Sequence, residues 1–567
     1  MTSKTEHRRF IATALLLVAV LGVIALILYQ RRSATTPSVG MTRPQADSTS
    51  TASARPVAGR QWFVGEGYLP SAPTPLGSRR DEGPAAGQSS HLHVFNPSHG
   101  VATVTVSVYR VTGPPSSFTL AVAPDALITV DLMTRREVPR NEVFWIALDA
   151  DQPVFPQIVH SGHRPWDPVP ETLEMVMPQP GPADATFTEW VYPDGFQGGA
   201  NGWIETETIS LLNPTPEPGL ATLTFLFRNG RRPRTHDVVV PATRVVNVDL
   251  SQLFAAGDPV SPPVVSHDFA TRIVSDVPIV SQQTRRARWR GTTFTVGSKT
   301  GAPIRASESR RAREWYYGGG WIRRLGVLPR DQFDHTWQLL FSYSLDPQGS
   351  DVRVQAYPST GGADVQTYAL RPGQSDLQWL HEEPWRARLG VGAAWGLKLT
   401  SPGPLAATVT TGEYEPWSQG LPGAMSATPL VPGPLAAEWW MGVSRHGGAD
   451  DEPVEWLAAW QFFNPGASPV RVTARFHGVR PSPIERTVVV APGAVVRVTG
   501  DEMPGLATGQ PMLVSAVGDG PFLAHAWLRV GARGVPVTRA LASSAGVPIT
   551  LATGTPAMAS THAGSRH

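Results

Sequence analysis

Residues 102–108 read Ala-Thr-Val-Thr-Val-Ser-Val, a strict alternation of apolar and polar side chains. Because successive side chains of a β-strand point to opposite faces of a sheet, this stretch predicts one buried face and one solvent-facing face. Three further stretches repeat the pattern; their apolar members are Ala221, Leu223, Phe225 and Phe227, then Val352, Val354 and Ala356, then Val470, Val472, Ala474 and Phe476. The sequence therefore predicts four half-buried strands of the kind found in antiparallel sheets.

The four strands belong to a longer repeat, which is marked by a tryptophan and three prolines. The opening tryptophans are 128, 125 and 124 residues apart, at Trp62, Trp190, Trp315 and Trp439. The prolines of the Asn-Pro or Asp-Pro turns are Pro97, Pro214, Pro347 and Pro465, and a second turn proline follows at Pro124, Pro241, Pro372 and Pro492. A third proline begins another β-like run at Pro153, Pro278, Pro404 and Pro521. Proline cannot donate to a sheet ladder, so these positions mark strand ends.

This repeat predicts an all-β protein. The 54 glycines and 55 prolines favour short strands joined by turns, and strands at this spacing are typical of two-sheet sandwiches. We expect four tandem antiparallel β-sandwich domains, each with its opening tryptophan in the core, at 61–165, 188–297, 313–415 and 437–545. A disordered tail is expected at 546–567.

The stretch from Phe10 to Tyr29 predicts a membrane anchor. Its 20 residues carry no charge, and a helix of that length spans a bilayer core. A cleaved signal peptide is the alternative, but Tyr-Gln-Arg-Arg stands where a small-residue cleavage site would lie. We expect a short cytoplasmic tail at 1–9, a single transmembrane helix, and a flexible linker at 30–60 rich in Ser, Thr, Pro and Ala. The bulk of the chain is then extracytoplasmic at the cell membrane.

Composition excludes several classes of function. The chain has no cysteine, so disulfides, thiolate catalysis and Cys-based metal sites are excluded. The formal net charge is only +2, which predicts no nucleic-acid partner. Neither a nucleophile elbow nor a phosphate-binding loop is present. We therefore expect no catalytic residues and no cofactor, and a protein that is not an enzyme.

Two segments resemble the sensory rhodopsin transducer family. They are Glu-Gly-Tyr-Leu-Pro at 66–70 and His-Asp-Phe-Ala-Thr-Arg-Ile-Val-Ser-Asp-Val-Pro-Ile-Val-Ser-Gln-Gln-Thr-Arg at 267–285. The resemblance implies four tandem divergent copies, of which the second unit is the most similar. It also implies small β-sandwiches that assemble as tetramers. Four units in one chain would then form a monomeric pseudo-tetramer, and a string of separate domains is the alternative. The family's partner is a membrane photoreceptor; for this chain we expect an unknown protein or small-molecule partner.

The resemblance supplies most of the candidate ligand-binding residues, which are Glu66, Tyr68, Asp268, Thr284 and Arg285. Asp268 is expected at a turn or sheet edge. Arg285 begins an arginine-rich stretch for which a solvated sheet edge is favoured over anion binding. Asp194 is nearly equivalent to Glu66, whereas the other two units have Gly319 and Val443 at that position. We therefore do not expect a general acid–base pair repeated in every unit.

Aromatic residues supply the remaining candidates. Trp321 and Trp385 lie in a tryptophan-rich third unit, and they are either core residues or ligand-facing platforms. The second interpretation gives the alternative function, a cell-surface carbohydrate binder. His91 and His93 share one face of a predicted strand, which we interpret as a solvent-facing side rather than part of a zinc site, so no metal is expected. The three glycines at 318–320 predict a turn.

Overall fold

In the computed structural model, the described part of the chain comprises residues 61–69, 88–162, 172–180, 185–198, 203–228, 231–255, 267–289, 295–301, 303–323, 336–359, 363–373, 375–414, 422–448, 453–478, 483–503, 505–506, 509–533 and 538–548. These residues all lie within one compact unit, which spans Arg55–His567. The predicted cytoplasmic tail, anchor and linker fall outside the described residues. Of the predicted disordered tail at 546–567 only 546–548 are described, and there Val547 and Pro548 pair as a short strand with Trp440 and Trp439. Within the described ranges there is no helix that combines the length and apolar character needed to cross a bilayer.

The described strands form four repeats of nine, which we number along the chain. Repeat 1 contains β1 Gln61–Tyr68, β2 Gln88–Phe95, β3 Ala102–Arg110, β4 Ser116–Val122, β5 Leu127–Asp131, β6 Val143–Ala150, β7 Phe155–Gly162, β8 Thr172–Val176 and β9 Gln179–Pro180. Repeat 2 contains β10 Glu189–Gln197, β11 Trp203–Asn213, β12 Gly219–Phe227, β13 Arg234–Val240, β14 Arg244–Asp249, β15 His267–Ser275, β16 Val280–Trp289, β17 Thr295–Gly301 and β18 Ile304–Arg305.

Repeats 3 and 4 follow the same plan. Repeat 3 contains β19 Glu314–Trp321, β20 Trp337–Ser344, β21 Ser350–Pro358, β22 Asp364–Leu370, β23 Ser375–Trp379, β24 Ala394–Thr400, β25 Leu405–Tyr414, β26 Pro422–Pro429 and β27 Val431–Pro432. Repeat 4 contains β28 Glu438–Ser444, β29 Val454–Asn464, β30 Val470–His477, β31 Ile484–Val490, β32 Ala494–Thr499, β33 Met512–Gly518, β34 Leu523–Ala532, β35 Thr538–Ala545 and β36 Val547–Pro548. The described helices are short: α1 Leu250–Ala255, α2 Ala306–Arg311, α3 Trp385–Leu389, and the 3-10 turns Leu132–Thr134, Ala185–Thr188 and Gly500–Glu502.

Every repeat has the same sheet topology. A five-stranded sheet has the order β4-β3-β6-β1-β9 in repeat 1, and a four-stranded sheet has the order β5-β2-β7-β8. The corresponding strands of the other repeats follow these two orders, and within each repeat the paired strands are antiparallel. The all-β prediction and the tandem β-sandwich repeat are therefore confirmed. We call the five-stranded sheet of each repeat its outer sheet and the four-stranded sheet its inner sheet.

The alternating strands that predicted the fold lie in the outer sheets. Along β3 the side chains of Ala102, Val104, Val106 and Val108 are buried, whereas those of Thr103 and Thr105 are exposed. The same alternation begins β12, β21 and β30. The opening tryptophans are core residues as predicted, with exposed fractions of 1%, 2%, 1% and 0% for Trp62, Trp190, Trp315 and Trp439. Along these strands one face of the outer sheet therefore packs on the core of its own repeat, and the other face carries the exposed side chains.

A buried asparagine explains the Asn-Pro landmark. In repeat 1 the Asn96 side-chain amide donates to the carbonyls of Gly100, at 2.8 Å, and Val122, at 2.9 Å. Its Oδ1 accepts from the Ser98 amide at 2.9 Å. Asn213 and Asn464 make the equivalent bonds in repeats 2 and 4, whereas repeat 3 has Asp346 at the same place. This side chain ties the turn between the two sheets to the following hairpin and satisfies backbone groups that the turn leaves unpaired.

The four repeats close into a ring. The eighth strands make its centre: β8 contacts β17 and β35, and β26 contacts the same two strands. One of these contacts, between Gly301 and Ala427, is a parallel bridge that joins the inner sheets of repeats 2 and 3. Two of the eighth strands, β8 and β26, lie wholly outside the predicted domains 61–165 and 313–415, and β17 extends beyond the end of 188–297, whereas β35 lies within 437–545. The predicted boundaries therefore left out strands that hold the repeats together.

Ring closure buries a second set of faces. The inner-sheet face that points away from its own sandwich core packs against a neighbouring repeat, and its polar residues are buried there. Examples are His93, Gln157, Thr284, Thr410, Gln461 and His525, all at most 2% exposed. The solvent-facing interpretation of His93 was therefore wrong, because this face lies at the contact with repeat 4, whose Arg445 adds to burial in lowering the pKa of His93. The Nδ1 atom of His93 forms a hydrogen bond with Thr129 Oγ1 at 2.9 Å.

Candidate functional site

A β-bulge in the first strand of each repeat provides the contact point between neighbours. Pairing of β1 with β6 shifts register between Val64 and Gly67, and equivalent shifts occur in β10, β19 and β28. The bulged residues include Glu66, Asp194, Gly319 and Val443, one in each repeat. The three glycines at 318–320 thus lie in a bulged strand, and the predicted turn was wrong.

Each bulge meets the seventh strand of the next repeat, which defines four junctions. Glu66 meets Thr284 at junction A, between repeats 1 and 2. Asp194 meets Thr410 at junction B, between repeats 2 and 3. At junction C, between repeats 3 and 4, a Cβ on Gly319 would overlap the ring of His525. At junction D the Val443 amide donates to Gln157 Oε1 and closes the ring between repeats 4 and 1.

Junction B holds a buried group of ionisable side chains, which we call the ionic cluster: Asp194, Glu205, Glu207, Arg285 and Lys299. Asp194 accepts hydrogen bonds from Arg285 and Lys299 within its own repeat, and from the Thr410 hydroxyl of the next repeat. Two strands of the inner sheet supply the cations: Arg285 lies on β16, and Lys299 lies on the neighbouring strand β17. The bulge therefore places one carboxylate between two buried cations.

The two glutamates come from one strand of the same sheet. Glu205 and Glu207 lie two residues apart on β11, so their side chains share a face. Arg285 Nη1 donates to Glu205 Oε2 at 3.1 Å, while Arg285 Nε lies 3.6 Å from Glu207 Oε2. Glu207 also accepts from Gln283 Nε2 at 2.7 Å and from the Phe196 amide at 3.0 Å. The cluster is thus held by one repeat and closed by Thr410 of another.

The environment separates the pKa values of the three carboxyls. Burial by itself would raise the pKa of Asp194, but the charges of Arg285 and Lys299 hold it below its usual range. Burial raises the pKa of Glu205, and it raises the pKa of Glu207 to about 7 despite the attraction of Arg285. One proton on Glu207 balances the cluster, because two carboxylates then face two cations.

The two cations respond to the same environment in opposite ways. Burial and the charge of Arg285 lower the pKa of Lys299 to about 8, against the attraction of Asp194. Burial also acts to lower the pKa of Arg285, but its three carboxylate neighbours raise it above its ordinary value. These groups titrate together as a coupled set. The ionic cluster is therefore a contact between repeats 2 and 3 that responds to proton binding. Its charged groups form ion pairs with one another.

Two of the predicted residues from different repeats meet at junction A. Thr284 Oγ1 donates to Glu66 Oε2 at 3.1 Å, and both side chains are buried. Burial raises the pKa of Glu66, while nearby Arg286 lowers it and Glu174 raises it. Arg285 is next to Thr284 in sequence but faces Asp194 instead. Its predicted place at a solvated sheet edge was wrong, because β16 lies between β11 and β17 and Arg285 is only 6% exposed.

The other predicted residues lie apart from this pair. Tyr68 ends β1 opposite Val143. Asp268 lies on the interior strand β15 of an outer sheet, where it pairs with Arg228 at 2.9 Å, so the predicted turn or sheet edge was wrong. Trp385 is 3% exposed in the core of repeat 3, a position that does not suit a ligand platform. Trp321 lies at junction C, 6.5 Å from Trp527 between ring centroids.

Sequence reasoning missed Lys299, Glu205, Glu207 and Thr410. Lys299 had one available signal, since it is one of three lysines in the chain. The glutamates alternate in the stretch Ile-Glu-Thr-Glu-Thr-Ile at 204–209, which suggests a polar face rather than a buried one. Thr410 carried no signal at all, because its importance depends on which repeat packs on its strand.

One part of this chain matches a known protein family. Residues 185–296, which contain most of repeat 2, match the family model of the Anabaena sensory rhodopsin transducer. The family resemblance is thus supported for this region and not for four tandem copies. The matched region contains Asp194, Glu205, Glu207 and Arg285 but not Lys299. No curated protein matches the sequence of the chain.

Three solved structures illustrate the extent of similarity. The Anabaena sensory rhodopsin transducer is 28% identical, with a TM-score of 0.15, over 17% of this chain and 84% of that chain. The crystal structure of Thermotoga maritima 1070 is 22% identical, with a TM-score of 0.17, over 21% of this chain and 92% of that chain. A tetra-tandem repeat from the extending region of a large adhesion protein is 12% identical, with a TM-score of 0.09. The match covers 82% of this chain and 96% of that chain.

Proposed function

We propose that this chain is a membrane-anchored, extracytoplasmic module of the sensory-transducer type that binds a protein partner and is not an enzyme. In this proposal four sandwich repeats of one chain take the place of four separate subunits, so that the protein works as a monomeric pseudo-tetramer. The observation that carries it is the closed ring: every repeat contacts two neighbours through its eighth strand, and one repeat matches the transducer family. The apolar stretch at 10–29 supports the anchor.

Packing across the junctions supports a ring that behaves as one body. Phe63 and Trp145 of repeat 1 join the core of repeat 2, and the Trp145 indole donates to Ser210 Oγ at 2.7 Å. Tyr316 and Tyr357 of repeat 3 join the core of repeat 4 in the same way. Shared cores resist separation because each repeat would expose large aromatic side chains if it left the ring.

Mass measurement tests the pseudo-tetramer. The full chain, solubilised in detergent and measured by light scattering with the detergent contribution subtracted, should have a protein mass of one chain, 61.0 kDa. A protein mass of four chains would contradict the proposal, since a ring that is complete within one chain leaves no eighth strand for a second copy.

Topology and partner binding are tested in membranes of the native source. Carbonate washing should leave the full chain in the membrane, and protease added from the extracytoplasmic side should digest it; release by carbonate or protection from protease would contradict the anchor or the orientation. Cross-linking in the same membranes should join the chain to another protein. Cross-links only within the chain would leave the ring in place and overturn the partner-binding role.

The carbohydrate alternative gains nothing from the tryptophans of repeat 3. Trp385 and Trp395 are buried in its core, whereas Trp379 is 44% exposed at the end of β23. Stacking platforms for sugars need exposed aromatic faces, and among the described tryptophans of repeat 3 only Trp379 exposes a large part of its indole. We therefore favour a protein partner over a glycan.

A further inference from the structure

Junction D differs from the other junctions because the repeats that it joins, 4 and 1, are not consecutive in the chain. Its aromatic side chains form a group of their own: the rings of Phe95 and Phe155 in repeat 1 lie 4.9 Å and 5.7 Å from the Trp440 ring of repeat 4, between centroids. Leu173 and Met175 of β8 add a second apolar contact with repeat 4. Separation of repeats 1 and 4 therefore requires no break in a chain connection.

Junction D also buries two histidines, one from each repeat. His93 lies on β2 of repeat 1 and is 1% exposed. His477 ends β30 of repeat 4, is 8% exposed, and has its ring centroid 4.7 Å from that of Phe95 in repeat 1. A proton on either imidazole would place a positive charge inside the contact between the two repeats.

The surroundings of His477 favour the neutral imidazole. Its Nδ1 is buried without a hydrogen-bond partner, whereas its Nε2 forms a hydrogen bond with Ser515 Oγ at 2.9 Å. A protonated imidazole carries a donor at each nitrogen, so protonation would leave one charged donor unpaired. Burial lowers the pKa of His477 to about 4, with Arg475 acting in the same direction and Asp125 of repeat 1 acting against both.

His93 faces positive charge from the other side of the junction. Arg445 directly follows β28 of repeat 4, and the ring of His91 on β2 lies 6.2 Å from that of His93 between centroids. Burial lowers the pKa of His93 to about 3, and the charges of Arg445 and His91 add to this effect. Opening the junction would remove the burial and the charge of Arg445 together, and would return His93 toward the ordinary histidine pKa of about 6.5.

We propose that acid opens the ring at junction D, because His93 and His477 take up protons readily only when repeats 1 and 4 separate. For every pH unit below about 6.5, each histidine favours the open ring by about tenfold more, and the two together by about 100-fold, until the closed ring also binds protons. Above that pH both imidazoles are neutral in either state, and the junction stays closed. Opening exposes Phe95, Phe155 and Trp440, which the closed ring buries. The inference rests on the ring itself and not on the partner-binding function.

The other junctions should stay closed while junction D opens. Burial raises the pKa of Glu66 at junction A and of Glu207 at junction B, so a proton on either carboxyl favours the closed contact as the pH falls. Junction C buries His525, whose pKa burial lowers to about 3. It joins consecutive repeats, however, and Tyr316 and Tyr357 of repeat 3 lie in the core of repeat 4. Acid is therefore expected to act first at junction D.

Fluorescence energy transfer in the full chain in detergent tests the proposal. The chain has no cysteine, so two introduced cysteines carry the donor and acceptor dyes at known places. Ala123→Cys with Arg486→Cys labels repeats 1 and 4, whereas Thr103→Cys with Thr235→Cys labels repeats 1 and 2; all four positions are exposed.

Between pH 7 and pH 4 the transfer across junction D should fall, with the ratio of open to closed ring rising about 100-fold per pH unit. Transfer between repeats 1 and 2 should stay constant. Constant transfer across junction D would overturn the proposal, and so would a simultaneous loss in both labelled pairs, which indicates unfolding of the whole ring.

Substitutions identify the groups that titrate. His93→Gln or His477→Gln removes one of the two protons, so the rise of the open-to-closed ratio should drop to about tenfold per pH unit. His99→Gln is the matched control, since His99 is exposed in the turn after β2 of repeat 1, and it should keep the 100-fold dependence. Wild-type dependence in both His93→Gln and His477→Gln would refute the proposal. If neither variant closes at pH 7, the wild type decides, because a dependence of tenfold per pH unit or less excludes a pair of histidines.

Discussion

Junctions B and C join neighbouring repeats through equivalent bulged strands, but their bulges carry different side chains. At junction B the bulge supplies Asp194, and three carboxyls face two cations, so protonation of Glu207 completes the balance. At junction C the bulge supplies Gly319, and the His525 ring packs so close to it that a Cβ there would overlap the ring. The difference teaches that one backbone geometry can be closed by paired charges, which need every partner, or by close packing, which needs a position without a side chain.

The largest expected effect comes from breaking the balance at junction B. Asp194→Asn leaves Arg285 and Lys299 without their shared carboxylate, and loss of one partner from a buried ion pair costs about 3–5 kcal/mol. Urea unfolding of the full chain at pH 7 measures this loss. Glu485→Gln is the control, because the exposed Arg475–Glu485 pair should contribute less than about 1 kcal/mol. Similar losses in both variants would show that the ionic cluster does not stabilise the ring.

A change of pH should act next most strongly at junction B. The folded protein raises the pKa of Glu207 from 4.5 to about 7, so it binds a proton more tightly than the unfolded chain between these values. Its contribution is therefore present at low pH and is lost as pH rises from about 4.5 to 7, by up to about 3 kcal/mol. Unfolding free energies measured at pH 5, 6 and 7 should lose that decline in Glu207→Gln. An unchanged slope would place the titrating group elsewhere.

At junction C the corresponding test is steric. In Gly319→Ala the new Cβ overlaps the buried His525 ring of the next repeat, and overpacking of this kind costs about 1–3 kcal/mol. Thermal unfolding compared with Gly100→Ala checks it, because a Cβ at Gly100 meets no atom within 4 Å. If both alanine variants unfold at the same temperature, repeats 3 and 4 do not pack at this bulge.

The smallest effect is expected at junction A. Thr284→Val removes the hydroxyl that donates to Glu66, and a single side-chain hydrogen bond contributes about 1 kcal/mol. The loss stays modest because burial raises the pKa of Glu66, so its carboxyl can take up a proton instead. Urea unfolding near pH 6 should show this difference against Thr103→Val, an exposed position on β3. Equal stability of the two variants would mean that junction A does not depend on this bond.

The sequence was sufficient to predict which faces of the outer sheets are buried, and insufficient to predict this for the inner sheets. Val104 and Thr105 alternate between a core and solvent, so local pattern predicts both faces. His93 and Thr410 also alternate with apolar neighbours, but another repeat covers them, and nothing in their own strands records that contact. The eighth strands β8 and β26 were missed because the predicted domains ended at 165 and 415. Those strands pair within a sandwich and also line the ring.

The candidate site was predictable to the same degree. Glu66, Thr284 and Arg285 were found through the family resemblance, and the first two meet at junction A. Lys299 and Glu207 were not, because a polar alternation indicates solvent unless the covering surface is known. The sequence left Trp385 open between a core residue and a ligand-facing platform, and only the fold shows that it is buried in the core of repeat 3.

A homotetramer repeats any substitution four times, and its symmetric contacts must all accept the same side chain. Here the bulge position holds Glu66, Asp194, Gly319 and Val443 within one polypeptide. Covalent linkage lets each repeat change its sequence independently of the others. The free-energy cost of desolvating a carboxylate among cations is therefore incurred at one junction and avoided at another. Symmetry of the backbone is thereby kept while stoichiometry changes: a ligand that recognises one contact occupies the molecule once, not four times.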